Sequence, residues 1–309
     1  GNISITTTND ADINGDITTT AGNISITSGK DVDVDGAVDA SGTLTVSQTG
    51  TAGSINFSDT LASDNDMTMT GDDVVVTGAT TVAGDMSLTA TGNDITVGGT
   101  IDASGDLTLT TQTAVGGDVI TTGQTVAADN DLTMTGADRV MVGVVNTLEG
   151  NAILTANNEV TIATASDIDG TLTVTSTGSL TDSDITVSGA LTVDNDVTIA
   201  ATSDFSATAL TTSNAGDISI TATNDVTVNV GGAALTATAG SVTISSGATA
   251  GLDVAFNAAA DAISAANDVT VTGDDVTVGT ITSTSAGDIT LTATNDVTTL
   301  GSVTNNATS

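Results

Sequence analysis

The feature that most constrains this chain is a short unit, Gly-Asp/Asn-apolar-Thr/Ser-apolar-Thr, that returns along its whole length. It reads Gly22-Asn23-Ile24-Ser25-Ile26-Thr27, Gly84-Asp85-Met86-Ser87-Leu88-Thr89, Gly105-Asp106-Leu107-Thr108-Leu109-Thr110 and Gly216-Asp217-Ile218-Ser219-Ile220-Thr221. Successive apolar starts at Ile3, Ile24 and Leu44 are 21 and 20 residues apart, and Met86 to Leu107 is 21. A period near 20 that holds two or three runs of strict apolar/polar alternation predicts a parallel β-solenoid. One coil cannot bury its apolar side alone, whereas stacked coils share a continuous core.

Alternation places Ile24 and Ile26 inward and Ser25 and Thr27 outward. Asn-Asp pairs at 65–66, 93–94, 130–131, 195–196, 224–225, 267–268 and 295–296, with Asn158-Glu159, read as the signal that introduces a second strand in each coil. Gly and Asn-Asp then mark corners where positive φ is tolerated. The five Met residues (Met67, Met69, Met86, Met134, Met141) and Phe57, Phe205 and Phe256 read as inward filler. The Ala-rich stretch from Asn257 to Ala266 reads as a looser corner or small protrusion. About 15 coils of about 20 residues would make a rod on the order of 70 Å long. The expected organisation is one continuous solenoid over residues 1–309, without separate caps. Both ends carry ordinary repeat sequence, so the chain is expected to be a slice of a longer protein or to stack end to end on its copies.

Composition removes most chemistry. The 309 residues hold 38 acidic and two basic side chains (Lys30, Arg139), a net charge of −36, and no His, Cys, Pro, Trp or Tyr. Nucleic acid asks for a basic surface and aromatic platforms. Ser-His-Asp and Cys-His catalysis and His/Cys metal sites have no residues to use. Lys30 and Arg139 lie about five coils apart, and no Trp or Tyr offers a sugar platform, so the expectation is no enzyme, no nucleic-acid partner and no membrane insertion. Disorder, the usual consequence of such charge, is opposed by the ordered alternation and a positive mean hydropathy of +0.24.

The units GDISITATNDVTV (216–228) and GDITLTATNDVTT (287–299) resemble the β-helix repeats of filamentous haemagglutinin-like, two-partner-secreted bacterial adhesins. That resemblance covers nearly the whole chain. It implies a right-handed parallel β-helix outside the cell or on its surface, serving as a structural or adhesive fibre module. Its partners would be further copies end to end, as a homopolymer, or flanking repeats of a longer chain.

Two sets of side chains are candidates for more specific work. Corner acids recurring once per coil would stack about 5 Å apart and repel by about 0.8 kcal/mol even at the dielectric of water, which diffuse Ca2+ binding would relieve. The densest clusters are Asp64 and Asp66, Asp72 and Asp73, Asp129 and Asp131, Asp194 and Asp196, and Asp274 and Asp275. Asp31-Val32-Asp33-Val34-Asp35-Gly36 imitates the start of an EF-hand loop, but position twelve is Gly42, and the segment reads better as a strand with outward acids. The second set is a Thr-x-Thr ladder: Thr43/Thr45, Thr68/Thr70, Thr108/Thr110, Thr133/Thr135, Thr171/Thr173 and Thr290/Thr292. Projected on one face, it resembles the ice-binding surface of β-solenoid antifreeze proteins. Thr is also simply a good outward strand residue.

Overall fold

The computed structural model describes all residues except 113–115, 179–182, 213–214, 229–233, 248–250, 286 and 307–309. Among the described residues there is no helix; every element is a short strand, and the pairings between strands of successive coils are parallel. No described helix is long and apolar enough to cross a membrane. The chain divides into two compact units, Gly1–Ala156 and Asn157–Ser309. Each is a parallel β-solenoid, and together they hold about 13 turns of roughly 21 residues. The turns are fewer than expected because several coils are enlarged: Leu107 pairs with Leu132 and Val242 with Val269, steps of 25 and 27 residues.

One turn shows how the sequence builds the coil. Met86–Ala90 is a five-residue strand, Ile95–Val97 and Ile101–Ala103 are three-residue strands, and turns of a few residues join them. Inward Met86, Leu88, Ile95, Val97 and Ile101 are 0–1% exposed. Each stacks on its counterpart in the next coil: Met86 on Leu107, Leu88 on Leu109, Ile95 on Val119 and Ile101 on Val126. Every such side chain contributes about 1.5–3 kcal/mol of burial, and no coil can realise it without a neighbour. Ile24 and Ile26 are fully buried as alternation requires, as are Phe57, Phe205 and Phe256. Met141 departs from the expectation: it is half-buried on the outward side of Val140–Thr147, stacked on Ile120. Thr80 departs the other way. It lies inward between Leu61 and Ile101, with its buried hydroxyl lacking a hydrogen-bond partner.

The corners differ from the expectation in three respects. Asn65-Asp66, Asn130-Asp131, Asn195-Asp196 and Asn267-Asp268 introduce long strands (Met67–Gly71, Leu132–Gly136, Val197–Ala201, Val269–Gly273), not second strands. Asn93-Asp94, Asn224-Asp225, Asn295-Asp296 and Asn158-Glu159 do precede second strands. Only Gly22, Gly116 and Gly251 among the described glycines have positive φ. Many of the others are small because the preceding coil lies directly against them: a Cβ on Gly36 would strike the backbone of Gly15 and Asp16, and one on Gly99 the backbone of Gly78. Lastly, Asn257 to Asp261 is a tight turn and not a protrusion. Buried Asp261 takes the N–H of Ala258 on its carboxylate (2.8 Å) and returns its own N–H to the Ala258 carbonyl (3.0 Å) before the strand Ala262–Ala265.

Inward hydroxyls at strand ends also close turns. Thr111 Oγ1 donates to the Gly117 carbonyl (2.9 Å), Thr147 Oγ1 to Gly150 (2.8 Å) and Thr19 Oγ1 to Gly22 (2.9 Å). Such a bond gives the inward hydroxyl a partner inside the core and ties the strand end to the turn that follows it.

Candidate functional site

Many of the corner acids are exposed, yet they are held by hydrogen bonds between coils. At the corner before most of the long strands, an Asp or Asn oxygen accepts the backbone N–H of the residue one coil further on. Asp66 accepts from Asp85 (3.1 Å), Asp85 from Asp106 (2.9 Å), Asp106 from Asp131 (3.2 Å) and Asp131 from Asn151 (2.8 Å). Asn2 and Asn23 do the same for Asn23 and Thr43, each at 3.0 Å. In the second unit Asp196 accepts from Asp217 (2.9 Å), Asp217 from Ser241 (2.7 Å) and Asp268 from Asp288 (2.7 Å).

A second ladder runs before the second strands. Asp73 accepts from Asp94 (3.0 Å), Asp94 from Asp118 (2.9 Å) and Asp118 from Arg139 (3.1 Å). Beyond Asn157, Asp184, Asp204, Asp225, Asp253 and Asp275 each accept from the next coil at 2.8–3.3 Å. A charged acceptor makes a stronger bond than a neutral one, and each amide dipole lies between successive carboxylates.

Five of the expected cation ligands, Asp66, Asp73, Asp131, Asp196 and Asp275, therefore belong to these ladders. Asp64, Asp129 and Asp194 sit two residues ahead of ladder acids, where their N–H groups bond the third strand of the coil below (2.8–2.9 Å). Asp72 Oδ2 lies 3.5 Å from the Asn93 amide nitrogen. The repeated Asp-Asn-Asp corners of the first unit are three coils apart, about 14 Å, so they do not converge. Among the described residues the one group of three carboxylates with ligand atoms within 4.8 Å of one another is Asp253, Asp274 and Asp275. Asp274 is buried and accepts the Gly251 N–H (2.7 Å). Pairing Asp274 with Asp275 was visible in the sequence; Asp253 was not, because it enters from the preceding coil.

The one ion pair among the described residues sits on the second ladder. Arg139 grips Asp118 with Nη2 to Oδ2 at 2.6 Å and Nε to Oδ1 at 3.3 Å, while its backbone N–H takes the ladder position. Asp129 also lines an open groove of about 360 Å3 with Thr100, Ile101, Asp102, Thr125, Ala127, Asn146 and Leu148.

Four of the expected Thr pairs, Thr68/Thr70, Thr108/Thr110, Thr133/Thr135 and Thr290/Thr292, lie on the outward side of the long strands, whereas the pairs with Thr43 and Thr171 are offset by two residues. Outward positions of the long strands form two columns. In the first unit these are Ser4, Ser25, Thr45, Thr68, Ser87, Thr108, Thr133 and Ile153, then Thr6, Thr27, Ser47, Thr70, Thr89, Thr110, Thr135 and Thr155. In the second they are Thr173, Thr198, Ser219, Thr243, Thr270 and Thr290, then Thr175, Ala200, Thr221, Ser245, Thr272 and Thr292. Thr43 and Thr171 lie outside both columns, at the corner position that acids fill in other coils; Thr43 donates its N–H to Asn23. Their strands present Thr45 with Ser47 and Thr173 with Thr175.

Comparison with family models, with curated proteins and with solved structures finds no match. Fold and ladder geometry thus define the class, a β-solenoid repeat protein.

Proposed function

We propose that this chain is a mechanical module, a stiff acidic length of fibre or stalk on the outside of a cell. The observation that carries the reading is the paired ladder of corner carboxylates. It adds one or two side-chain-to-backbone bonds to nearly every coil junction, in parallel with the strand pairing. Bonds of this kind, running from coil to coil, oppose the parting of coils when the chain is loaded along its length. The resemblance of 216–228 and 287–299 to filamentous haemagglutinin-like adhesins supports the extracellular setting. Partners in this reading are more coils of the same kind, from copies end to end or from flanking repeats. The role is structural, not enzymatic. Antibody labelling of intact source cells tests it: label on surface fibres without permeabilisation is expected, and label seen only after permeabilisation contradicts it.

Calcium enters the same reading at Asp253, Asp274 and Asp275. With ligand atoms within 4.8 Å of one another, each pair of charges repels by about 0.9 kcal/mol or more at water's dielectric, and the half-buried setting raises this. Asp274→Asn keeps an acceptor for Gly251 and removes one charge, so its thermal midpoint in EDTA is expected a few degrees above that of the parent chain. Added Ca2+ should close the gap by stabilising the parent chain more, as binding to the native state requires. A lower midpoint for Asp274→Asn in EDTA would contradict this account of the cluster.

A further inference from the structure

The long-strand sheet is kept regular at the expense of the rest of the coil. In the first unit its steps vary from 19 residues (Met67 to Met86) to 25 (Leu107 to Leu132), and in the second from 20 to 27. Every one of these pairings nevertheless runs residue to residue without a shift. The extra residues fall in the turns and the short-strand rows, where the register slips between Thr121 and Thr125 and between Val187 and Ala190.

The same face carries no charge. At the chain's overall frequency of 38 acids in 309 residues, about three of its twenty-eight outward positions would be acidic. None is, and all but Ile153 and Ala200 are Ser or Thr. Outward positions of the short strands do carry acids, among them Asp12, Asp33, Asp39, Asp102 and Asp167. Uniform pitch and neutrality serve no purpose in the core, which the inward side chains already fill.

We propose that this hydroxyl face is a contact surface for a second copy of the same chain, laid side by side. Three arguments select that occupant. Two copies of a chain with charge −36 repel wherever acids face one another, so the neutral face is the approach that costs least. A hydroxyl both donates and accepts, which makes a Ser/Thr lattice complementary to itself without a second sequence. A partner must also stay in phase over many coils, and another strand array of the same spacing does so by construction. The area sets the strength. Eight strands at about 4.8 Å and a two-column width near 12 Å give on the order of 450 Å2 in the first unit, short of the ~800 Å2 per partner of stable complexes. The contact is therefore weak. It is also salt-dependent, because Asp66, Asp85, Asp106 and Asp131 head these strands and repel across the contact until they are screened.

The test is the mass of the full chain by sedimentation equilibrium, at rising protein concentration in low and high NaCl. The parent chain is expected to move from 29.8 kDa toward twice that mass as salt rises. Thr68→Asp with Thr108→Asp should hold the chain at monomer mass. Thr81→Asp with Thr96→Asp, two acids on the short-strand faces, should behave like the parent. Thr68→Gln with Thr108→Gln blocks the lattice by bulk without charge and answers the same question should the acidic variant fail to fold. Equal masses for parent and face variants at every salt concentration would overturn the proposal. So would a parent chain that remains monomeric and shapes growing ice, which would assign the face to an ice lattice. These readouts do not depend on where in the cell the protein resides.

Discussion

Gly99→Ala is expected to destabilise the fold by about 3 kcal/mol, while Gly98→Ala, one residue earlier, changes stability by less than about 1 kcal/mol in the stabilising direction. The two glycines share a turn and neither has positive φ, so backbone conformation does not separate them. Their surroundings do. A Cβ on Gly98 meets Thr77 at 3.5 Å, an ordinary contact. A Cβ on Gly99 collides with the carbonyl of Gly78 in the coil beneath. That carbonyl is backbone and cannot rotate away, so relief requires the coils to part, which also stretches the pairing of Ile101–Ala103 with Thr80–Val82. Urea midpoints of the two variants measure the difference directly. Equal effects would mean that the corner glycines answer to flexibility and not to coil spacing.

Asp118→Ala is the other large effect, about 2–3 kcal/mol. Breaking a buried pair by removing one partner costs 3–5 kcal/mol, and the Arg139 side chain is 42% exposed, which lowers the figure. The substitution removes two guanidinium bonds and also the acceptor of the Arg139 amide. Asp118→Asn separates the two roles: it keeps an amide acceptor on the ladder but gives up the charge, and about half the loss is expected. If Asn costs as much as Ala, the ladder bond contributes nothing measurable and the ion pair carries the whole effect. If Asn costs nothing, the pair is idle and the ladder alone holds that junction.

Much of this could be read from the residues because two periods, 2 along a strand and about 20 along the chain, are written in the apolar positions. They placed Ile24, Leu88 and Phe57 inside without reference to any partner. What escaped depends on the neighbouring coil. Asn65-Asp66 and Asn93-Asp94 have the same local chemistry, and only the length of the following strand, five residues against three, tells a long-strand corner from a second-strand corner. Corner acids looked like mutually repelling surface charge, since the amide that each one accepts belongs to a residue 19–28 positions later. Thr43 and Thr171 mimicked column residues because Thr also fits the corner. Enlarged coils hid inside polar, Gly-rich sequence that reads as ordinary repeat, which inflated the number of turns. Ser and Thr at inward strand ends gave no signal of their own; the hydropathy of Thr111 or Thr147 is that of an outward residue, and only the carbonyl each one closes explains its burial.

Pulling the chain from its two ends in a single-molecule force experiment tests most directly whether coil-to-coil bonding bears load. Coils of roughly 21 residues should come away as discrete events, with contour gains in multiples of about 70 Å and a resolved force peak for each. Asp118→Ala should lower the peaks of the coils it joins and leave the others unchanged. A smooth entropic extension without peaks would contradict the mechanical account.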